Sequence, residues 1–250
     1  MFRTLFAVTI FVIFMLICLP LAIPYYLMSL LRLRRAYDAY ITFLLGIWAN
    51  LMLLIVGCRF TVVGKENLPK AKNLVFISNH QSFFDIPAIL AASRRKIGFI
   101  AKKELALFPF INLWMPGIGC LFLDRKSPRK AYTVFQRAIQ KVKDGNAMLV
   151  FPEGHRSRGD RAGEFKRGSL KLPLLSGAVV VPVTIDGTWH MLEEKGYLRS
   201  AKVTLTIHPP VDTSKLTGDE KEQLTENLRT TIVSCLPEQD AAPEVSPASA

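Results

Sequence analysis

The chain has 250 residues, enough for one sizeable domain plus an appendage, and half of them are hydrophobic. Lys and Arg outnumber Asp and Glu by 32 to 20, and the net charge of +12 indicates an anionic partner: nucleic acid, a membrane surface or a phosphorylated substrate. The four cysteines form no CxxC pair, which argues against a zinc site.

Two uncharged apolar runs open the chain, at residues 4–31 and 39–57. About 20 helical residues cross the hydrocarbon core of a bilayer, so the first run is long enough to span it. Pro20 and Pro24 are expected to kink or break that helix. The alternatives are a secretory signal peptide, for which the first run is too long, and a pair of buried core helices. The sequence therefore predicts a two-helix membrane segment over residues 1–58.

Three arginines, Arg32, Arg34 and Arg35, separate the two runs. If both runs cross, these arginines lie outside, against the tendency of basic loops to stay on the cytoplasmic side. One crossing plus one interfacial helix satisfies that tendency, and so do two helices that dip into the cytoplasmic leaflet. We expect both chain ends on the cytoplasmic side, and the choice between spanning and dipping stays open.

From Arg59 onward, short apolar strands alternate with helices. In chain order, strands are predicted over residues 59–64, 73–78, 96–101, 120–125, 146–151, 179–186 and 202–208. Helices are predicted over residues 86–93, 127–145 and 217–236. This alternation favours an α/β domain over residues 59–235 whose sheet is covered on both faces. The Pro- and Ala-rich tail, residues 236–250, is expected to be disordered.

The stretch NHQSFFD, residues 79–85, follows the second predicted strand. Pro87 disfavours helical geometry at the residue before it, so the motif is expected to form a turn that ends in a helix. In such a turn Asp85 can accept the proton on one nitrogen of His80 and leave the other nitrogen as a base for a hydroxyl. The alternative is that Ser82 or Asp85 only caps the helix.

A second polar stretch, FPEGHRSRGDRAGEFKRGSLK at residues 151–171, follows the predicted strand at 146–151. It combines six basic residues with glycines that permit tight turns. Guanidinium groups suit phosphate oxygens, so the loop is a candidate anion site. The alternative is an ordinary solvated basic loop. The spacing does not match a P-loop.

Two weaker patterns are GIGCLFLDR, residues 117–125, and VVVPVTIDG, residues 179–187. The first places Arg125 at the end of a strand. The second is most simply a core strand with Pro182 near an edge or a bulge.

Together the four stretches resemble the motifs of the glycerophospholipid acyltransferases, in particular the bacterial 1-acylglycerol-3-phosphate acyltransferases. The family's NHxSxxD corresponds to NHQSFFD, its glycine-led strand that ends in Arg to GIGCLFLDR, its FPEGTRS to FPEGHRS, and its Val-Pro strand to VVVPVTI. The resemblance covers roughly residues 60–210 and implies a mixed, mostly parallel sheet flanked by helices. It also implies a bacterial inner-membrane protein whose active site is on the cytoplasmic face.

The resemblance further implies roles for individual residues. His80 would be the general base, oriented by Asp85, that deprotonates the acceptor hydroxyl. The substrate-binding residues would be Asn79, Ser82, Lys103, Arg125, Glu153, Gly154 and Arg156, with Lys102 as an alternative to Lys103. No metal and no resident cofactor are implied.

The implied reaction transfers an acyl group from a thioester of coenzyme A or acyl-carrier protein to the sn-2 hydroxyl of lysophosphatidic acid at a membrane. Alternatives are another acceptor, such as glycerol-3-phosphate or another lysolipid, a membrane thioesterase or other hydrolase, and a non-catalytic membrane-remodelling protein. No recognised nucleic-acid motif accompanies the positive charge. His155 stands where the family usually has Thr, which leaves the preference for the acceptor open.

Overall fold

The computed structural model describes residues 2–108, 111–124 and 126–237. Arg125 and residues 238–250, the greater part of the predicted disordered tail, lie outside them. The strands in this part of the chain are β1 (Arg59–Val63), β2 (Leu74–Ser78), β3 (Ile97–Lys102), β4 (Leu121–Leu123), β5 (Ala147–Val150), β6 (Val179–Asp186), β7 (Lys202–Ile207) and β8 (Val211–Asp212). The helices are α1 (Phe2–Cys18), α2 (Ala22–Leu30), α3 (Arg34–Val56), α4 (Asp85–Ser93), α5 (Ile111–Ile118), α6 (Pro128–Lys143), α7 (Lys171–Ser176) and α8 (Gly218–Val233).

The strands form one sheet in the order β1-β7-β6-β2-β5-β3-β4, with β8 beside β6. The five strands from β6 to β4 run parallel, whereas β7 pairs antiparallel with β6, and β1 runs parallel to β7. Along β2, Leu74 and Phe76 pack into one core and Val75 and Ile77 into the other, and all four are buried. The predicted α/β fold with a mixed, mostly parallel sheet covered on both faces is therefore confirmed.

The clearest predicted helix, α6, begins and ends as its sequence indicates. Ser127 caps it by accepting a hydrogen bond from the backbone N–H of Lys130, and Pro128 occupies the first turn. Gly145, two residues after the last helical residue, has φ of 82°, a conformation that glycine adopts without strain. Ala138 and Val142 are buried against the sheet.

The apolar front end contains the two predicted apolar helical segments, and the first of them is divided into α1 and α2. The chain breaks at Pro20, between α1 and α2, because proline cannot continue the hydrogen-bonded ladder. Pro24 neither kinks nor ends a helix, since it lies in the first turn of α2, where no N–H donor is needed. Two stretches, Val12–Leu30 and Arg34–Val56, are long and apolar enough to cross a membrane.

Helix α3 presents two different apolar faces. Ile41, Leu45 and Ala49 recur every four residues and are buried in the same core as β2 and α4. The opposite face is also apolar but exposed, with Phe43 65% and Leu54 73% accessible. The change in sequence character at residue 58 therefore does not interrupt the packing, because α3 shares the core of the domain that follows.

The helix α5, which the sequence analysis did not predict, ties the front end to the sheet. Gly117 lies against Tyr25 of α2 so closely that an added Cβ would lie 2.5 Å from the tyrosine ring. The hydroxyl of Tyr37 in α3 donates to the carbonyl of Gly117 at 3.0 Å. Gly117 therefore permits a close approach of three helices that no larger residue would allow.

Pro182 lies in β6, an interior strand of the sheet as predicted, at a point where the pairing on one side of the strand changes. Its carbonyl accepts a hydrogen bond from the N–H of His208, just after the end of β7. On that side of β6 the partner changes from β7 to β8, which pairs only with residues 179 and 180. The N–H that proline lacks therefore falls where the pairing is interrupted, and no ladder hydrogen bond is lost.

Candidate active site

The strand order brings the two strongest motifs together. The NHQSFFD motif follows β2 and the FPEGHRS motif begins at the end of β5, and these strands are parallel neighbours. Their carboxyl ends therefore meet at one edge of the sheet, where α/β proteins commonly bind ligands. The backbone N–H of Ser157 donates to the carbonyl of His80 at 2.8 Å, so the two loops are in direct contact.

His80 and Asp85 form the predicted pair. The Nδ1 of His80 lies 2.7 Å from Oδ2 of Asp85, which also accepts the backbone N–H groups of Gln81 and Ser82. Oδ1 of Asp85 accepts the hydroxyl of Thr188. These four donors match an ionised carboxylate, which can only accept hydrogen bonds. The carboxylate points back into the turn and not along α4, so Asp85 orients the imidazole and does not serve as the helix cap.

The imidazole of His80 is held in a defined orientation. Its ring stacks on Phe151 with the ring centroids 3.8 Å apart and the planes inclined by 12°. Because Nδ1 donates to Asp85, Nε2 is the nitrogen that remains as a proton acceptor. The side chain is 18% exposed while Asp85 is fully buried. The geometry therefore leaves the imidazole of His80 partly accessible from outside, while the carboxylate that holds it is shielded from solvent.

Glu153 is buried and binds the backbone both of the NHQSFFD motif and of the polar stretch at residues 151–171. Its Oε1 accepts the N–H of His80 at 2.7 Å, and its Oε2 accepts the N–H of Gly163 at 2.8 Å. Burial raises the pKa of the Glu153 carboxyl above its ordinary value, and the two N–H donors partly oppose that shift. Gly154 has φ of 76°, which glycine adopts readily, and this lets the chain turn directly after Glu153. Glu153 thus fixes the backbone at His80.

Asn79 and Gln81 attach the candidate catalytic turn, residues 79–85, to β6, the neighbour of β2 in the sheet. The side-chain amide of Asn79 donates to the carbonyl of Ile185 and accepts its N–H, both at 2.8 Å. Oε1 of Gln81 accepts the N–H of Gly187 at 3.0 Å. Both side chains are buried. Asn79, which the resemblance assigned to substrate binding, therefore contacts the backbone of β6 and holds the turn in place.

Arg156 joins the same cluster through Glu193, a residue that the sequence analysis did not single out. The Nη1 of Arg156 donates to Oε1 of Glu193 at 3.1 Å, and the guanidinium lies 3.5 Å from the centroid of the Phe83 ring. Oε2 of Glu193 accepts the hydroxyl of Ser82 at 2.6 Å. Thr188, which binds Asp85, was missed as well. Both residues lie in the segment after β6, where no local pattern marks them.

Lys103 follows the carboxyl end of β3, on the same side of the sheet as the two motifs. Its Nζ donates to Oδ2 of Asp124 at 2.8 Å, directly after β4. This hydrogen bond raises the pKa of Lys103 and lowers that of Asp124. Lys102 instead lies near Glu104, with 3.8 Å between Nζ and Oε2. Among the described residues, no contact joins Lys103 to His80. Arg125, the residue after Asp124, lies outside the described residues.

His155 is exposed, and its Nδ1 lies 3.1 Å from the carbonyl oxygen of Glu153. An oxygen of this kind only accepts, so Nδ1 carries the proton and Nε2 is directed away from that contact. The departure from the family's Thr therefore leaves the hydrogen bonds of Glu153 and Arg156 in place.

Comparisons with known proteins agree with this architecture. The family model described as Acyltransferase matches residues 59–186, which include both motifs but not Glu193. The 1-acyl-sn-glycerol-3-phosphate acyltransferase of Borreliella burgdorferi is 32% identical over 74% of this chain and 74% of its own length. A chloroplastic 1-acyl-sn-glycerol-3-phosphate acyltransferase of Arabidopsis thaliana is 31% identical over 74% of this chain but 53% of its own length.

Among solved structures, the fold is similar to the crystal structure of the 1-acyl-sn-glycerophosphate (LPA) acyltransferase PlsC from Thermotoga maritima. The TM-score is 0.82 and the sequence identity is 29%, over 93% of this chain and 92% of that chain.

Proposed function

The chain belongs to the acyltransferase family, and from that premise we propose that it transfers a fatty acyl group from an acyl thioester to the free sn-2 hydroxyl of 1-acylglycerol-3-phosphate. The product would be phosphatidic acid. The observation that carries this proposal is the His80–Asp85 pair beside a basic loop, at one edge of the sheet. A base and an anion site this close suit an acceptor that carries both a hydroxyl and a phosphate.

In the proposed mechanism, Nε2 of His80 takes the proton of the acceptor hydroxyl as its oxygen attacks the thioester carbonyl. The tetrahedral intermediate then collapses, the carbon–sulfur bond breaks, and the thiolate leaves. The imidazolium returns its proton to the leaving sulfur, so the base is regenerated. Asp85 stabilises the imidazolium in between and keeps Nδ1 protonated. The protein supplies no covalent nucleophile in this scheme.

The phosphate of the acceptor would be bound by Arg156 and Arg125, with Lys103 at the far side of the sheet edge. A guanidinium presents five N–H donors in a plane, and Glu193 accepts one of them, from Nη1. Glu153, Asn79 and Ser82 would act by positioning, because the contacts described above are with the protein itself. The donor would be acyl-coenzyme A or acyl-carrier protein.

We further propose that the protein works at a bacterial inner membrane with its active site on the cytoplasmic face. The buried stripe of α3 lies against the catalytic domain along the helix, which favours helices that dip into one leaflet over helices surrounded by lipid. The N–H of Leu198 donates to Oγ1 of Thr4, so the start of α1 lies beside the segment that covers the catalytic turn. Both features support placing the N-terminus and the site on the same side.

The test is an acyl-transfer assay on the purified protein in mixed micelles, with both donors and with three acceptors: lysophosphatidic acid, glycerol-3-phosphate and a lysophospholipid with a diester headgroup. We expect phosphatidic acid, detected by mass spectrometry, only when a thioester and lysophosphatidic acid are both present. Equal thioester loss with and without acceptor would identify a hydrolase. Preference for glycerol-3-phosphate would reject the proposed acceptor.

A further inference from the structure

Glu193 connects the two halves of the site although it belongs to neither motif. Its Oε1 accepts both the N–H of Phe83 and Nη1 of Arg156 at 3.1 Å, and its Oε2 accepts the hydroxyl of Ser82 at 2.6 Å. The side chain is 5% exposed, so these donors replace water around a nearly buried charge. All three donors come from the catalytic turn or from the basic loop.

The same contacts restrict the guanidinium of Arg156 in two directions. The ring of Phe83 lies against one of its faces and Glu193 holds one of its edges. The Arg156 side chain is still 22% exposed. A planar group held in this way keeps a fixed direction for its remaining donors, which suits recognition of a phosphate.

The turn on which Glu193 acts is the turn that carries the base. The N–H of Ser82 donates to Asp85, which holds His80, while the hydroxyl of Ser82 donates to Glu193. The carboxylate of Glu193 thus contacts Arg156, which would bind the phosphate, and also the turn that orients the imidazole of His80.

We propose that Glu193 is a positioning residue that sets the separation between Arg156 and His80 and so matches the site to the spacing of phosphate and hydroxyl in the acceptor. This inference rests on the proposed function. In a glycerol phosphate these two groups are on adjacent carbons, so the distance between them varies little. The acceptor therefore cannot compensate for a displaced Arg156 or His80. Misplacement of reacting groups by about 1 Å can lower the rate by about 10²-fold.

The experiment compares Glu193→Ala and Glu193→Gln with Glu194→Ala as the matched control. Glu194 is the next residue but pairs with His190 and Arg199 on the surface. For Glu193→Ala we expect the KM for lysophosphatidic acid to rise roughly tenfold or more, the scale of one lost charge-assisted contact, with the KM for the donor unchanged. We expect kcat to fall as well. Glu193→Gln, which keeps the shape and an acceptor oxygen, should recover part of both losses.

A double-variant cycle separates positioning from a general loss of structure. In an Arg156→Ala background, Glu193→Ala should no longer raise the acceptor KM, because that effect acts through the arginine, whereas the fall in kcat should persist. Thermal unfolding identifies variants that fail to fold. If Glu193→Ala is one of them, the KM and kcat of Glu193→Gln are compared with the wild type in its place.

Equal increases in the acceptor and donor KM, or additive effects on the acceptor KM in the two backgrounds, would overturn the inference. So would an effect of Glu194→Ala as large as that of Glu193→Ala. If the wild type does not acylate lysophosphatidic acid, the proposed function is wrong. If the wild type does acylate it but the variants behave as in these contrary outcomes, only the role of Glu193 is wrong.

Discussion

Replacement of Asp85 by Asn tests the catalytic pair most directly, because it removes a charge and little else. The Asn carbonyl can keep the place of Oδ2, which accepts from His80, Gln81 and Ser82. The Asn amide then faces Thr188, whose hydroxyl can turn to accept a hydrogen bond. The turn should therefore remain folded.

The expected loss follows from the attraction between the imidazolium and the carboxylate. Charge centres about 4 Å apart attract by about 4 kcal/mol at an effective dielectric constant of about 20. Each ~1.4 kcal/mol is a factor of ten in rate, so kcat should fall about 10³-fold. The residual rate should exceed that of His80→Ala, which lacks the base altogether.

The assay measures phosphatidic acid formed per enzyme at saturating donor and acceptor, with thermal unfolding recorded for each variant. A folded Asp85→Asn variant within tenfold of the wild type would refute the role of Asp85. A folded His80→Ala variant with near-normal transfer would refute the mechanism as a whole.

Three further outcomes follow from the structure. Glu153→Ala should lower the free energy of unfolding by about 2–6 kcal/mol in chemical denaturation, since two partly buried N–H groups lose their carboxylate acceptor at about 1–3 kcal/mol each. An unchanged stability would contradict the contacts of Glu153. Burial lowers the pKa of His208 below its ordinary 6.5, so stability present above pH 6.5 should be lost as the pH falls below it. His208→Gln should flatten that loss in thermal unfolding, whereas His190→Gln at the surface should not. Finally, washing membranes with high salt should leave the protein bound and detergent should release it, because salt screens charges but not apolar burial; release by salt alone would reject integral attachment.

Local pattern was sufficient for much of the fold. Alternation of apolar residues, proline and glycine at helix ends, and the capping position of Ser127 are properties of neighbouring residues, so the strands and α6 could be predicted. The short elements α5, α7 and β8 could not, because α5 contains Pro116 and the other two are too short for a period to appear. Their stability comes from packing on elements that are distant in sequence.

The candidate site divides in the same way. The residue types at positions 80, 85, 153 and 156, within their two short motifs, are sufficient to suggest a base, its orienting acid and an anion loop. The sequence also indicates an apolar front end held at a membrane. These are statements about chemistry carried by single residues and short motifs.

Only the tertiary structure decided how those residues are held. The adjacency of β2 and β5 puts the carboxylate of Glu153 on the backbone of His80, across 73 positions of chain. The segment after β6 folds back so that Thr188 reaches Asp85 and Glu193 reaches Arg156. Such contacts depend on strand order and on the path of a connecting segment, and two adjacent glutamates in a polar stretch carry no local sign of which one is buried. The physical reason is that spacing along the chain determines only which neighbours share a face, whereas burial of a charge is decided by elements that meet only after the sheet has formed.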